Sequence, residues 1–589
     1  MRRNKDGSGQ DSNSNITQYD YDGFDRLLET LYPSSSETYT YDANNNVLTL
    51  TTRMGDTITN TYDVLNRLST RQPGSLAMQT TTYDLAGRRL SISTPVDGSD
   101  PASGTYGYSY DTAGRLIQQT MPNGQTVGYQ LDANGNRTQL IYPDGYYAEY
   151  AYDQLNRLTA ISLNGSSTFA VSFEYDQLSR TTQMTYDNGC VCKYTYALNN
   201  DMSDQDFSFA GSSASFDYFY NRVHQIIGLV PSDPSFFWTP SSSSTIDYAT
   251  ANNLNQYPSV GSTGYSYDGN GCLTGGPQST TFDSLSRVTE IVSGGTTNDY
   301  WTDPLNRQAR KSVNGTDTNY LYDGNQLIAT YDDSGELISR LICGDGIDEH
   351  FINITSSGNV YLHMDRIGSV IAETDASGGV LNKFAFSPFG ESSSVSSTNF
   401  GYTGQRYDSE IGLYNYKMRY YSPTIGRFLQ PDPLGYEAGD LNMYTYVGND
   451  GLNLTDPLGL NPDGTSYKDP ADEQYKITSY SAPEDEQYKT TSYSSSGDYT
   501  NSTETPPVPD WVAPYQNAPL PGEIGFPYVS TRISYQPRQR HSLLGKIISS
   551  IAGVFKSRSR PDASIIFYAL GAAYNDPSLS REFKSLRKT

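Results

Sequence analysis

Along most of the chain, apolar positions fall in short alternating runs rather than at helical spacing. In GYSYDTAGRLIQQTMPNGQTVGYQLDANGNRTQLIYPDGYYAEYAYDQLNRL, residues 107–158, Tyr108-Ser109-Tyr110 places both rings on one face of a strand. Asp111 opens a turn, because its carboxylate accepts bonds from backbone N–H groups two residues on. Gly114 tolerates positive φ and ends the turn, and Arg115-Leu116 begins the return strand. A second turn follows at Pro122-Asn123-Gly124 and comes back one period later as Pro143-Asp144-Gly145. Two strands of about six residues and two turns of about four make one hairpin per period. Ala/Leu/Glu/Lys-rich windows with helical period are nearly absent before residue 540.

The phrase Tyr-Asp-x-x-Gly/Asn-Arg-Leu recurs as YDGFDRL (21–27), YDVLNRL (62–68), YDLAGRRL (83–90), YDQLNRL (152–158) and YDQLSR (175–180), and later as FDSLSRV (282–288), TDPLNR (302–307) and YDGNQL (322–327). A nearly fixed step means one supersecondary unit stacked on copies of itself. The predicted class is all-β. A lone hairpin is marginal in water, but a dozen in series pair edge to edge into one long winding sheet. In this reading Tyr supplies the buried face, Asp and Gly/Asn supply the bend, and Arg reaches a neighbouring carboxylate or tyrosine ring. The repeated Asp is structural, neither catalytic nor a metal ligand. From Asp187 to about Gln256 the phrase fades: FDYFYNRVHQI (216–226) reads as a worn copy, and VPSDPSFFWTPSSSSTIDY reads as a loop or plug.

Composition sharpens this picture. Only 35% of residues are hydrophobic, yet 51 Tyr and 52 Gly are present; a ring that buries while its hydroxyl stays satisfied suits many short strands. The net charge of −25 argues against nucleic-acid binding by the body of the protein. Residues 531–589 run the other way, with eleven Lys/Arg against three Asp/Glu. Four cysteines, Cys190, Cys192, Cys272 and Cys343, make no disulfide scaffold, and four scattered histidines give no zinc spacing. No metal or cofactor is expected. No run of 18 apolar residues marks a membrane span. The opening MRRNKDGSGQ is basic without an apolar core, so it is not a signal peptide. Either the chain is a piece of a longer gene product or it lacks its own export signal.

Over roughly residues 16–345 the Tyr-Asp phrase resembles the YD repeats of the Rhs family, which includes the C subunits of insecticidal Tc toxins, bacterial wall-associated proteins and animal teneurins. YLHMDRIGSVIAETDASGGV (361–380), FSPFGE (386–391), FGYTGQRYDSEIGLYNYKMRYYSPTIGRFLQPDPLG (400–435) and LNMYTYVGNDGLNLTDPLGL (441–460) are similar to the Rhs repeat-associated core. The resemblance implies a spiral β-sheet that curls into a hollow shell, with the core strands plugging one end; a dozen copies either close that shell or leave it incomplete. It also implies a variable C-terminal segment, held inside and released by self-cleavage after the terminal leucine, between Leu460 and Asn461. That cleavage resembles an aspartyl-protease reaction in which two carboxylates share one proton and activate a water. The matching carboxylates are Asp432 and Asp456, each in Asp-Pro-Leu-Gly, with Asp440 a third candidate and Arg427 placed to orient a carboxylate or an oxyanion. Asp-Pro-x-Gly is also simply a good turn, so a purely structural role competes. One departure is Asn449-Asp450-Gly451, where the family usually has Asn-Pro. His363 and Asp365 read as shell residues, since no serine or cysteine motif accompanies them.

The resulting division is a disordered start (1–15), YD repeats (16–345), the core (346–460), a disordered low-complexity linker (461–530) and a basic variable segment (531–589). The linker echoes DEQYKITSYSAPE in DEQYKTTSYSSSG and lacks the apolar content to fold alone. In the last segment, HSLLGKIISSIAGVFKSRSR (541–560) has the spacing of an amphipathic helix, open to a membrane-active, a nucleic-acid- or partner-binding, or a merely structural role. The expectation is a secreted or cell-surface shell protein that carries or presents its C-terminal segment. Its partners would be that segment, a secretion apparatus or a neighbouring cell surface. Its one chemistry would be self-cleavage, at most. The alternatives are a non-cleaving extracellular protein that binds carbohydrate or protein, and a truncated inactive fragment.

Overall fold

The computed structural model describes residues 8–10 and 16–460, apart from 241–245 and 395. All of them fall in one unit of the fold. Expectations for the linker and the basic segment, including the amphipathic helix, lie outside the described residues.

The chain is a meander. Twenty-one strands from Ser8–Gln10 to Ile226–Pro231 form one antiparallel sheet, each strand pairing with the next in sequence, as Ile16–Tyr21 does with Leu27–Leu31 and Ser212–Tyr220 does with Ile226–Pro231. A second sheet of thirteen strands runs from Ser266–Tyr267 to Val380–Lys383 in the same way. A four-stranded sheet, from Arg406–Asp408 to Arg427–Phe428, lies at the heart of the segment that follows.

One unit shows why the sequence folds so. In the turn after Tyr62, Asp63 Oδ1 accepts the N–H groups of Leu65 (2.8 Å) and Arg67 (3.0 Å), and its Oδ2 takes Arg67 Nε at 2.7 Å. Asn66, the fourth turn residue, sits at φ 61°, a conformation Asn tolerates. The register slips by one residue at Tyr62, a bulge that ends pairing and aims the ring. Arg67 then reaches forward. Its Nη1 donates to the carbonyl of Asp84 in the next turn at 3.0 Å, and its guanidinium lies 4.5 Å from the Tyr83 ring centroid. Tyr83 reaches back, its hydroxyl donating to Leu68 O at 3.0 Å. The expected role of the arginine holds, with the carboxylate on its own turn and the ring on the next.

The meander continues where the motif fades, and the worn copy at 216–226 is an intact unit. Strands Val191–Tyr196, Met202–Phe209, Ser212–Tyr220 and Ile226–Pro231 are regular members of the first sheet. Asn221 replaces Asp, its side chain accepting the N–H groups of Val223 and Gln225, with His224 at φ 63°. The true interruption is shorter, from 232 to 265, and contains the small pair Ser259–Val260 and Thr263–Gly264. Two expected boundaries also move. Ser8–Gln10, assigned to a disordered start, pairs with Ile16–Gln18. The division at 345/346 falls inside the second sheet, between paired strands Leu337–Cys343 and His350–Thr355.

Both sheets contribute to one core. Tyr142, Tyr150 and Tyr186 of the first sheet bury their rings and donate their hydroxyls to the carbonyls of Leu341 (2.7 Å), Cys343 (3.1 Å) and Leu362 (2.6 Å) of the second. Arg340 pairs with Asp144, and Arg137 with Asp323, across the same boundary. The sheets are open rather than closed into a barrel: the terminal strands 8–10 and 226–231 of the first pair on one side only. Among the described residues no helix is long and apolar enough to cross a membrane.

Tyr186→Phe removes a buried bond to the Leu362 carbonyl and is expected to cost about 1–2 kcal/mol. Tyr83→Phe, whose acceptor is half-exposed and wetted, should cost less than about 1 kcal/mol. Urea denaturation of the two variants checks the order.

Candidate functional site

The segment 384–460 closes against the second sheet. Ile411, Leu413, Tyr420, Ile425 and Leu429 pack with Val260, Leu273, Val288, Ile291 and Tyr300, and behind them Tyr402, Tyr414, Tyr416, Tyr421, Phe428 and Tyr446 form a buried aromatic cluster. The two Asp-Pro-Leu-Gly turns emerge from this base.

Each aspartate organises its own turn. Asp432 Oδ1 accepts Leu434 N–H at 2.9 Å, and its carbonyl accepts Gly435 N–H at 2.9 Å. Asp456 Oδ1 accepts Leu460 N–H at 2.8 Å, and its carbonyl accepts Gly459 N–H at 3.2 Å. Gly459 is obligatory: its φ is +70°, and a Cβ there would meet Tyr416 O at 2.8 Å. The free oxygens converge on one cation that the sequence reading missed. Arg419 Nη2 lies 2.7 Å from Asp432 Oδ2 and 3.5 Å from Asp456 Oδ2. Its Nε donates to Gly459 O, its Nη1 donates to Met443 O at 3.0 Å, and its guanidinium stacks 3.7 Å from the Phe428 ring centroid. Arg419, Asp432, Asp456 and Leu460 are all buried. With Asp440 they line a small cleft.

The structure therefore gathers Asp432, Asp456, Asp440 and Leu460 at one place. Asp440 stands at the margin, its Oδ1 accepting Asn442 N–H. Arg427 does not belong. Its Nη1 donates to Asn255 O at 2.6 Å, and it stacks on Tyr257 at 3.8 Å, so its expected role passes to Arg419. On sequence the two look alike, each an arginine followed by an aromatic residue at a short strand. Asn461 lies outside the described residues.

Electrostatics set the protonation of the pair. Burial pushes the Asp432 carboxyl up to about 6, against the pull of Arg419, with Asp456 adding to the rise. Burial likewise lowers Arg419, while the two carboxylates hold its charge in place. Near neutrality the Asp432 carboxylate is ionised beside the Arg419 cation, and below about pH 6 it takes up a proton. Behind it Lys417 Nζ bonds both oxygens of Asp348 at 2.6 Å, and Met418 N–H donates to Leu458 O at 3.2 Å, holding the second turn along residues 416–419.

The other candidates are structural here. His363 is buried beside Tyr186 and Phe209, with Nε2 2.9 Å from Thr374 Oγ1, and burial lowers its imidazole to about 3. Asp365 caps a turn through the N–H groups of Ile367 and Ser369. All four cysteines are free and buried. Cys343 Sγ lies 3.5 Å from His350 Nδ1, but burial raises the thiol and lowers the imidazole, so both stay neutral.

Lateral YD hairpins with a plug that ends in a buried carboxylate pair define a YD-shell protein. The sequence profile described as Teneurin YD-shell matches residues 161–452, and that of the RHS repeat matches 83–126, 110–147 and 132–168. The chain belongs to the Rhs/YD-repeat family. The tRNA3(Ser)-specific nuclease WapA of Bacillus spizizenii is 33% identical over 234 residues, 37% of this chain and 10% of that protein. Toxin subunit YenC1 of Yersinia entomophaga is 36% identical over 110 residues, 17% of this chain and 11% of that one. The matches thus span about a tenth of these relatives' length. The crystal structure of TcdB2-TccC3-TEV superposes with a TM-score of 0.58 at 16% identity, covering 75% of this chain and 28% of that one, which shows a shared fold. The crystal structure of TcdB2-TccC3 gives 0.53 at 17%, covering 77% and 31%.

Arg419→Met leaves two buried carboxylates without their cation and should destabilise by about 3–5 kcal/mol near neutrality. Removing the cation raises the folded-state pKa of Asp432 above its value of about 6. The protonated folded form is then favoured, so part of the loss should be regained as pH falls, beginning above that value. Arg427→Met should show no such pH dependence. Urea titrations on both sides of that pH decide it.

Proposed function

We propose that this chain is an Rhs-type shell protein that cuts itself once, between Leu460 and Asn461, and so frees its basic C-terminal segment. The observation that carries the reading is the bond from Leu460 N–H to Asp456 in the cleft where Arg419 joins Asp456 to Asp432. The residue at the cut is thereby fixed by one of the two carboxylates that would perform it. In the step we propose, a water adds its oxygen to the Leu460 carbonyl carbon and gives a proton to the ionised carboxylate. The neutral carboxyl protonates the carbonyl oxygen. Collapse breaks the C–N bond, the nitrogen of Asn461 leaves as an amine with a proton, and Leu460 keeps a carboxylate. Arg419 is a positioning residue, holding Gly459 O beside the pair.

The names of two relatives, a tRNA nuclease and a toxin subunit, support a segment that acts after release. The target of residues 531–589, a membrane or a nucleic acid, is part of the proposal, as are export from the cell and enclosure of that segment by the two sheets. One observation favours a second reading, a non-cleaving surface protein: Arg419 already satisfies both carboxylates, so the cluster suffices as a fastener for the plug.

Mass spectrometry of the expressed chain separates the two. The first reading expects a fragment ending at Leu460 and its loss in Asp432→Asn and Asp456→Asn. Because the reaction needs one carboxyl neutral, its rate should fall as pH rises through about 6. An intact chain at every pH leaves only the second reading.

A further inference from the structure

The first sheet has two unlike rims. Its strands alternate in direction, so every Tyr-Asp turn lies on one rim and every intervening turn on the other. Several intervening tips are small and polar, as at Asn123-Gly124, Asp144-Gly145 and Asn188-Gly189, and Met54, Val96 and Phe169 are large exposed residues on that side. The Tyr-Asp rim carries a row of large apolar side chains in water. Phe24 (80% exposed), Val64 (98%) and Leu85 (104%) mark the first, third and fourth of ten turns. Leu155 (67%), Leu178 (60%), Leu198 (109%) and Val223 (70%) mark the seventh to tenth. The second, fifth and sixth carry Asn44, Ala113 and Asn134. Successive tips lie two strands, about 10 Å, apart and touch where they are polar: Asn44 Nδ2 donates to Asn66 Oδ1 at 2.9 Å, and Asn134 Nδ2 to Asn156 Oδ1 at 3.0 Å.

The second sheet shows what such a rim does in this fold. Its Tyr-Asp turns rest on the first sheet one after another. Asn270 Oδ1 accepts Met54 N–H at 3.0 Å, Ser284 Oγ donates to Pro73 O at 2.9 Å, Arg307 lies over Tyr106, and Asp323 accepts the Tyr129 hydroxyl at 2.8 Å. Leu305, at the same turn position as Leu155 and Leu178, packs against the shared core. In the second sheet the rim is a docking edge, held by polar contacts and, at Leu305, by an apolar tip.

We propose that the Tyr-Asp rim of the first sheet is a dimerisation edge for a second copy of this chain, the two rims meeting antiparallel about a two-fold axis. The order of tips carries the choice of partner. Reversed on itself, the row sets turn one on turn ten, three on eight, four on seven and five on six. Apolar then meets apolar and small or polar meets the same; only Asn44 against Leu198 is mismatched. An isologous contact requires this self-complementarity, which a lipid surface does not.

Sedimentation equilibrium of the full chain at micromolar concentration is expected to give twice the monomer mass. Leu85→Asp and Leu155→Lys lie on fully or largely exposed turn tips, so each should fold, as circular dichroism can verify, while raising the dimer dissociation constant at least tenfold. Mixing the two variants should restore association, because turn four of one copy faces turn seven of the other. Asn123→Asp, at an exposed tip of the other rim, should change nothing. A monomer at all concentrations overturns the proposal. So does a dimer indifferent to the rim variants, or a monomeric chain whose rim residues govern binding to phosphatidylcholine vesicles.

Discussion

Everything in this fold depends on an arginine that belongs to two repeats at once. Within its own turn the guanidinium neutralises the aspartate that bends the chain, as Arg67 does for Asp63. Beyond it, the same group caps the next turn's carbonyl and lies against the next tyrosine. The tyrosine returns a hydroxyl to the strand that follows the arginine. A charge on a lone surface hairpin would contribute little. Here each pair is half-sheltered by its neighbour, and a copy without a neighbour loses the carbonyl, the ring and the returning hydroxyl together. Cooperativity is thus written into one side chain, and the stack behaves as a nearest-neighbour array.

The same chemistry explains how two wide sheets pack with so few aliphatic residues. A strand presents carbonyls already paired once, each with a second lone pair to offer. Tyrosine fills the gap between sheets with its ring and spends its hydroxyl on that lone pair, as Tyr142, Tyr150 and Tyr186 do. A phenylalanine core would bury equal area but leave the facing backbone polar atoms without these extra bonds. The cost is that the hydroxyls fix the register of one sheet over the other, which suits a wall that must hold its curve.

Much of this was legible because the period repeats the same three constraints: alternation, an acceptor at the bend and a residue that tolerates positive φ. Legibility failed where a different residue met the same constraint. At Asn221 an amide oxygen replaces the carboxylate and at His224 an imidazole occupies the left-handed position, so the phrase reads as worn although the turn is intact. The boundary at 345 failed for a related reason: the core motif begins in sequence before the sheet ends in space, and the pairing of Leu337–Cys343 with His350–Thr355 ignores it. At the candidate site the carboxylates were readable from Asp-Pro-Leu-Gly. The cation was not, because Arg419 and Arg427 differ only in which loops the plug folds beside them.

That difference matters for how the site can combine stability with chemistry. A cation between two buried carboxylates is a fastener when both are ionised, since each anion then needs it. When Asp432 takes a proton, near pH 6, its carboxyl leaves the ion pair with Arg419 and, in the proposed cleavage, would act as a donor. In that proposal the fastened and the reactive forms differ by one proton. Burial does the tuning: Asp432 keeps a raised pKa despite a guanidinium at 2.7 Å. A surface pair of the same geometry would stay ionised through the whole physiological range. The aromatic base formed by Tyr402, Tyr416, Phe428 and Tyr446, which excludes water from beneath the pair, is therefore as much a part of the site as the carboxylates.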